Sequence, residues 1–384
     1  MAQIATVRVP RLNKEINVPT GLFINNEFVP SVDSSELIHA VNPFTEEVIC
    51  SVVSGIIDVA VAAARKAFNT TWGKNVTGFD RSRLIHRLAD LIEQNAQELA
   101  ELESLNNGKP VRMARDFDIG DTVQCLRYYA GWADKIAGQV APALAVGCTI
   151  VMKPSELTPL TALSYFFFGN LICLYSFPPG VLNTVPSLGS VGGSALAVHP
   201  DVDKVAFTGS TITGPKSNLK KVSLELGGKS PHLIFESCDM DQAANWAALG
   251  ICYNSGQDCT AGSRVYVQDS IHDKFVDLLV SKVKELVFGD GLDDKTSGGP
   301  VIFGPVLSVG RFKTERSNQF GYDTSYGLGA GLHSNDANQC MRVASALDAG
   351  TKQSVCSPRL GGSILDTSVK AVHWNFGEKL DWPI

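Results

Sequence analysis

Apolar positions change texture along the chain. Residues 21–52 carry short apolar stretches, Leu22-Phe23-Ile24 and Val48-Ile49, set between turn residues such as Asn25-Asn26 and Asn42-Pro43. This pattern predicts short strands and hairpins. The period then lengthens. Asp58 stands where it can cap a helix over Val59–Phe68, and Asp80 where it can cap a second helix whose Leu84, Leu88 and Leu91 recur at the spacing of one buried face. A third helix near Asn95–Leu105 runs into Asn107-Gly108 and Pro110, which stop helices. Another helical stretch spans about Asp116 to Ala137.

Farther along, short apolar runs alternate with helices. Val205–Phe207, His232–Phe235 and Val265–Val267 read as buried strands, with helices at about Asp241–Cys252 and Ile271–Leu286. Such alternation predicts an α/β layered architecture with a largely parallel sheet. On this reading Val205–Phe207 and His232–Phe235 share that sheet. Between Glu156 and Asp201 there is no Asp, Glu, Lys or Arg, and the apolar block at 160–178 approaches the length of a membrane span, about 20 residues. Gly169 and Asn170 interrupt it and no basic cluster marks either end, which argues for a buried or misassembled segment instead.

Composition adds bounds. A chain of 384 residues, 44% apolar and 19% charged, is long enough for two or more cores and has the balance of a packed globular protein. Its formal charge is -6 and its 33 basic residues are scattered, so nucleic acid is not an expected partner. Arg8, Arg11, Lys14 and Glu15 break up any apolar core of a secretory signal. The nine cysteines are widely spaced, with no C-x-x-C pair, and read as free thiols in a reducing, cytoplasmic setting without a metal site.

Four stretches carry candidate chemistry. Cys259 lies in Asn254-Ser255-Gly256-Gln257-Asp258-Cys259-Thr260-Ala261-Gly262-Ser263-Arg264, between a predicted helix and a predicted strand, where a loop can present a thiol to substrate. Backbone N–H groups there can favour a thiolate and hold an oxyanion, while Asp258 disfavours the thiolate. A buried, inert cysteine is the plainer alternative. Glu225, 34 positions earlier, sits between two leucines in Leu224-Glu225-Leu226-Gly227-Gly228-Lys229. Burial would raise its pKa toward the range of a general base; alternatively it only pairs with Lys229. Phe207-Thr208-Gly209-Ser210-Thr211-Ile212-Thr213-Gly214 is either a pyrophosphate-binding turn or an ordinary strand-to-helix turn. Lys153-Pro154-Ser155-Glu156 either holds a nucleoside or lies on the surface.

Taken together, these stretches resemble the aldehyde dehydrogenase family, in particular its NAD-dependent cytosolic and mitochondrial-type members. The likeness starts near Leu22-Phe23-Ile24-Asn25, passes through Leu102-Glu103-Ser104-Leu105-Asn106-Asn107-Gly108-Lys109-Pro110, and ends at Lys370-Ala371-Val372-His373-Trp374-Asn375. It implies a Rossmann-like NAD-binding domain over residues 1–226, an α/β catalytic domain over 227–365 and a remnant oligomerisation arm over 366–384. It implies that Cys259 attacks a small aldehyde to form a thiohemiacetal, that hydride passes to nicotinamide, and that Glu225 activates the water that hydrolyses the thioester. Lys153 and Glu156 match the adenosine ribose positions, Gly209, Ser210 and Gly214 the pyrophosphate turn, and Phe303 the aromatic beside the nicotinamide.

The chain also departs from the family. Between Val140 and Ala141 the pairing hairpin and a Pro-Trp-Asn-Phe segment are absent; the family forms homo-oligomers, and this loss argues against one here. The helix after Gly214 is shortened, two motifs are fused at Gly299-Pro300-Val301-Ile302-Phe303, a loop is cut at Gly361-Gly362-Ser363, and Tyr165–Ser176 replaces a charged helix. Two readings follow: an aldehyde-oxidising enzyme in a shortened chain, or a catalytically inactive relative or misassembled gene product serving, if at all, as a binding or assembly partner.

Overall fold

A computed structural model describes residues 4–31, 36–131, 133, 140–165, 177–209, 220–300, 304–314, 324, 326–347, 349, 351–356 and 371–376. The chain divides into two compact units, one of Met1–Phe207, Gly214–Leu224 and Asp290–Thr296, the other of Thr208–Thr213, Glu225–Gly289 and Ser297–Ile384.

In the first unit, β1 (Ile4–Val9) and β2 (Lys14–Pro19) form an antiparallel ribbon. β3 (Leu22–Ile24) and β4 (Glu27–Val29) make the hairpin that Asn25-Asn26 predicts, both asparagines taking positive φ. β5 (Leu37–Val41) and β6 (Val48–Val53) form a second hairpin. β7 (Ile150–Met152) and β8 (Leu182–Thr184) pair in parallel and join the first hairpin in the order β4-β3-β8-β7. The helix Ile57–Thr70 lays a small-residue face, Ala60, Val61, Ala63 and Ala64 among it, against these strands. Asp58 does not cap it; it lies in the first turn, and the cap position is Ile56.

Helix Gly78–Gln94 is capped by Thr77, which accepts from the Asp80 N–H at 3.1 Å and donates to the Asp80 carboxylate at 2.7 Å. Leu88 and Leu91 are buried and Leu84 partly so, as their spacing requires. Helix Ala96–Asn107 ends on Gly108 at φ 87°, a left-handed cap that glycine takes without strain. Pro110 then opens the next helical run, which starts at Val111, passes through a π-turn at Ala114–Ile119 and continues to Ala130. β9 (Lys204–Thr208) and β10 (Lys221–Glu225) pair with each other, and their last residues count in the second unit.

The second unit is built on a six-stranded sheet of β11 (Pro231–Ile234), β12 (Arg264–Gln268), β13 (Ser308–Phe312), β14 (Gly329–His333), β15 (Thr351–Cys356) and β16 (Ala371–Phe376). Every neighbouring pair is parallel, in the order β13-β12-β11-β14-β15-β16. Both faces are covered, as an all-parallel sheet demands. Ile234, Val265 and Val267 meet helices Met240–Cys252 and His272–Lys284, while Leu233, Phe235, Phe312 and Leu332 meet helix Ala337–Ala346. Each such side chain, fully buried, contributes about 1.5–3 kcal/mol.

Beyond the two helix caps, three further expectations need correction. Val205–Phe207 and His232–Phe235 lie in different sheets: β11 has β12 on one edge and β14 on the other, and β9 pairs with β10. Cys340 is disulfide-bonded. It is fully buried on a helix packed against β14 and β15. Cys50, Cys125, Cys148, Cys238, Cys252 and Cys259 are free thiols. The helical stretch expected over Asp116–Ala137 begins earlier, at Val111, and residues 134–139 lie outside the described ones. Among the described residues no helix is long and apolar enough to cross a membrane; positions 166–176 of the apolar block lie outside them.

Candidate active site

Helix Met240–Cys252 gives way to a left-handed turn in which Asn254, Ser255 and Gly256 take φ of 48°, 56° and 83°. Non-glycine residues adopt this conformation at a cost of about 1–2 kcal/mol each, and they do so here because the turn is pinned. The Ser255 hydroxyl donates to the Gly299 carbonyl at 2.8 Å, and a Cβ on Gly256 would stand 2.8 Å from Pro305 Cα, so that position must be glycine. Asp258 Oδ1 then accepts from the Thr260 N–H at 2.6 Å, an Asx turn with Cys259 at its apex.

Cys259 is exposed, as a loop nucleophile must be. Partial burial, the Asp258 carboxylate and the Glu225 carboxylate push its thiol above the usual range, against hydrogen bonds from its own backbone and that of Thr260. Both influences expected of this loop are therefore present, and the net direction is upward.

Glu225 ends β10 and is exposed, so the burial suggested by its leucine neighbours is not found; Leu224 itself is 40% exposed. Nor does Glu225 pair with Lys229: that ammonium donates to the Gly228 carbonyl and lies over the Tyr326 ring, and no ion pair joins it to Glu225 among the described residues. The turn after Glu225 reaches the cysteine loop directly, since a Cβ on Gly228 would stand 2.5 Å from the Cys259 carbonyl oxygen. The Gly209 N–H donates to the Glu225 carbonyl at 3.1 Å. Thus Cys259, Glu225 and Gly209 gather within the second unit. Ser210, Gly214 and Phe303 lie outside the described residues, but Gly299 and Pro305, on either side of Phe303, rest against Ser255 and Gly256.

Lys153 and Glu156 form a cluster within the first unit and are not loose surface groups. Lys153 Nζ donates to the Pro154 carbonyl at 2.7 Å, the Ser187 carbonyl at 3.0 Å and Glu156 Oε2 at 3.2 Å. Glu156 Oε1 accepts from the Gly189 N–H at 3.3 Å. Burial pushes the Glu156 carboxyl up, but the hydrogen bonds from its own backbone, Lys153 and Gly189 outweigh it, and the group sits below its usual range. Gly189 and Gly193 leave open the space beside Glu156 and Lys153 that a Cβ would occupy. Asn106, buried, holds the same loop by donating to the Leu157 carbonyl at 3.2 Å and accepting from the Leu160 N–H at 3.4 Å. Sequence reasoning missed these partners. The glycine cluster 189–193 was the available signal, whereas Asn106 was hidden in a motif read only as a helix stop.

The aldehyde dehydrogenase family model matches residues 28–141, 135–302 and 301–357. An aldehyde dehydrogenase of Alternaria alternata is 38% identical, with 88% of this chain and 87% of that protein covered. One of Emericella nidulans is 36% identical with 98% of each covered. Among solved structures, the NAD+ complex of aldehyde dehydrogenase from Bacillus cereus matches with a TM-score of 0.83 at 34% identity, covering 91% of each chain. The chain belongs to the aldehyde dehydrogenase family, has its α/β fold, and is an enzyme of a class that oxidises aldehydes. This agreement does not favour a silent assembly partner. The losses are equally visible: the Emericella nidulans alignment runs over 497 positions against a chain of 384 residues, and the family matches break at 135–141 and 301–302, where segments are missing from the sequence.

Proposed function

We propose that this chain oxidises a small aldehyde to a carboxylic acid with NAD, using Cys259 as nucleophile and Glu225 as general base. The observation that carries the reading is the approach of the Gly228 backbone to the Cys259 carbonyl, which brings the turn after Glu225 and the cysteine loop together and lets the Glu225 charge act on the thiol. Because the thiol sits above its usual range, the carboxylate has a proton to accept before attack. The sulfur then bonds to the aldehyde carbon and the carbonyl oxygen becomes an oxyanion. NAD, when bound, would supply the hydride acceptor that this oxidation needs, leaving the acyl group on the Cys259 sulfur as a thioester. Glu225, exposed to solvent, gives the thiol's proton to bulk water and returns to the carboxylate; it then takes a proton from a second water, whose oxygen attacks the thioester, and the carbon–sulfur bond breaks to release the acid and the Cys259 thiolate.

The Lys153–Glu156 cluster fits a dinucleotide. The Glu156 carboxylate is held ionised, its side chain is 38% exposed, and it has acceptor capacity left for a ribose hydroxyl. Gly209, Ser210 and Gly214 would face the pyrophosphate and Phe303 the nicotinamide, with residues 1–226 as cofactor domain, 227–365 as catalytic domain and 366–384 as the remnant arm. A cytoplasmic location and the absence of the family's oligomer belong to the same proposal. The Bacillus cereus relative, solved with NAD+, supports the cofactor.

The test is acid-quench mapping after incubation with a short aliphatic aldehyde and NAD. An acyl group should appear on the Cys259 peptide and build up in Glu225→Gln, where hydrolysis is slowed by about 10²–10⁴. An acyl group elsewhere, or equal amounts in both proteins, would overturn the assignment.

A further inference from the structure

His232 lies half-buried on the central strand of the second unit's sheet and takes no part in the mechanism above. It sits on β11 between Gly331 of β14 and Val265 of β12, on the same face as Ile234, two residues on, which helix Met240–Cys252 covers. Its ring fills a slot walled by three glycines. A Cβ would stand 2.3 Å from the ring at Gly331, 3.0 Å at Gly262 and 3.0 Å at Gly250. None of the three has a positive φ, so no turn requires glycine there. Gly250 is moreover inside a helix, where glycine costs about 1 kcal/mol against alanine. The volume of the imidazole explains all three.

The slot lies beneath the reactive loop. Gly262 is three residues after Cys259, and its N–H donates to the Gly250 carbonyl at 2.8 Å, so the ring supports the point where loop and helix are joined. We infer that His232 is a positioning residue, a wedge among Gly250, Gly262 and Gly331 that sets where the Cys259 loop stands. Burial holds the imidazole neutral, pushed down to about 4, and His333, its ring 5.8 Å away, is pushed down to about 3 by burial and by His232. The wedge is thus uncharged at neutral pH, and its Nδ1 has no hydrogen-bond partner among the described residues.

This inference rests on Cys259 being the nucleophile, so the test separates the two. The rate of Cys259 alkylation by iodoacetamide is measured against pH, resolved to the Cys259 peptide, on the full chain and on His232→Ala, Gly262→Ala and the double variant. Each single change should free the loop from Glu225 and from partial burial, lower the pH midpoint and speed alkylation at neutral pH about fivefold; in the double variant the alanine methyl enters the vacated slot and the rate returns to within about twofold of the parent. If His232→Ala does not fold, His232→Asn is read in the same way. An unchanged midpoint in folded variants, or effects that simply add, would overturn the wedge. If the wedge results hold but Cys259→Ala turns over aldehyde as fast as the parent, the nucleophile assignment fails and the wedge stands.

Discussion

Cys259 is surrounded by negative charge. Asp258 shapes the loop through its bond to the Thr260 N–H while opposing the thiolate one residue away. Asp258→Asn keeps an oxygen for that bond and removes the charge, so the thiol should move down and carry more thiolate at fixed pH. Site-resolved alkylation near neutral pH should then be about threefold faster, roughly half a pKa unit; an unchanged rate would show that Asp258 does not bear on the thiol. At this scale much was legible. A cysteine among glycines between a helix and a strand read as a loop thiol, with a buried cysteine as the alternative, and Asp258 read as opposing the thiolate; the structure exposes Cys259 and raises its thiol. The exposure of Glu225 was not legible. Two flanking leucines suggest burial, but in a two-stranded sheet an apolar position has no guaranteed cover, and Leu224 stays 40% exposed.

At the scale of elements, periodicity located the helices but misjudged some of their ends. Asp58 and Asp80 both have the chemistry of caps, yet Thr77 takes the cap position of one helix and apolar Ile56 that of the other, because backbone geometry at the entry decides. Strand pairing was least legible, since Val205–Phe207 and His232–Phe235 look alike as apolar runs and only the edges already taken on β11 separate them. The Lys153–Glu156 loop was legible as a pair of charges, but its anchors at Asn106, Ser187 and Gly189 come from distant segments. Its ionised carboxylate should repel a 2′-phosphate, so titration should show NAD bound at least about tenfold more tightly than NADP, with the gap narrowed in Glu156→Gln. Equal affinities in the parent would remove Glu156 from the ribose.

For the whole molecule, two neutral histidines on adjacent strands of one sheet, His333 buried and His232 half-buried, tie stability to pH. The unfolded chain protonates both near 6.5, whereas the folded chain resists until about 4 at His232 and about 3 at His333. The unfolded state therefore binds more protons as pH falls from about 6.5 toward 4, and stability is lost across that window by up to about 1.4 kcal/mol per pH unit for each histidine. Urea unfolding across this window should show a shallower loss in His333→Asn than in the parent; identical slopes would contradict a neutral His333 in the folded chain.

The whole chain keeps the family's fold while lacking internal segments, among them the Pro-Trp-Asn-Phe segment whose asparagine, by the family resemblance, would donate to the oxyanion of the proposed reaction. Losing one such donor lowers a rate by about 10²–10³. The most direct measurement is NADH formation from a short aliphatic aldehyde by this chain, by its Cys259→Ala variant, and by a version with the missing family segments restored. The expected result is a feeble rate, about 10²–10³ below the restored version, that vanishes in Cys259→Ala. A rate that survives the loss of Cys259 would contradict the assignment of the nucleophile, and robust turnover by the chain as it stands would contradict the weight placed on the missing segments.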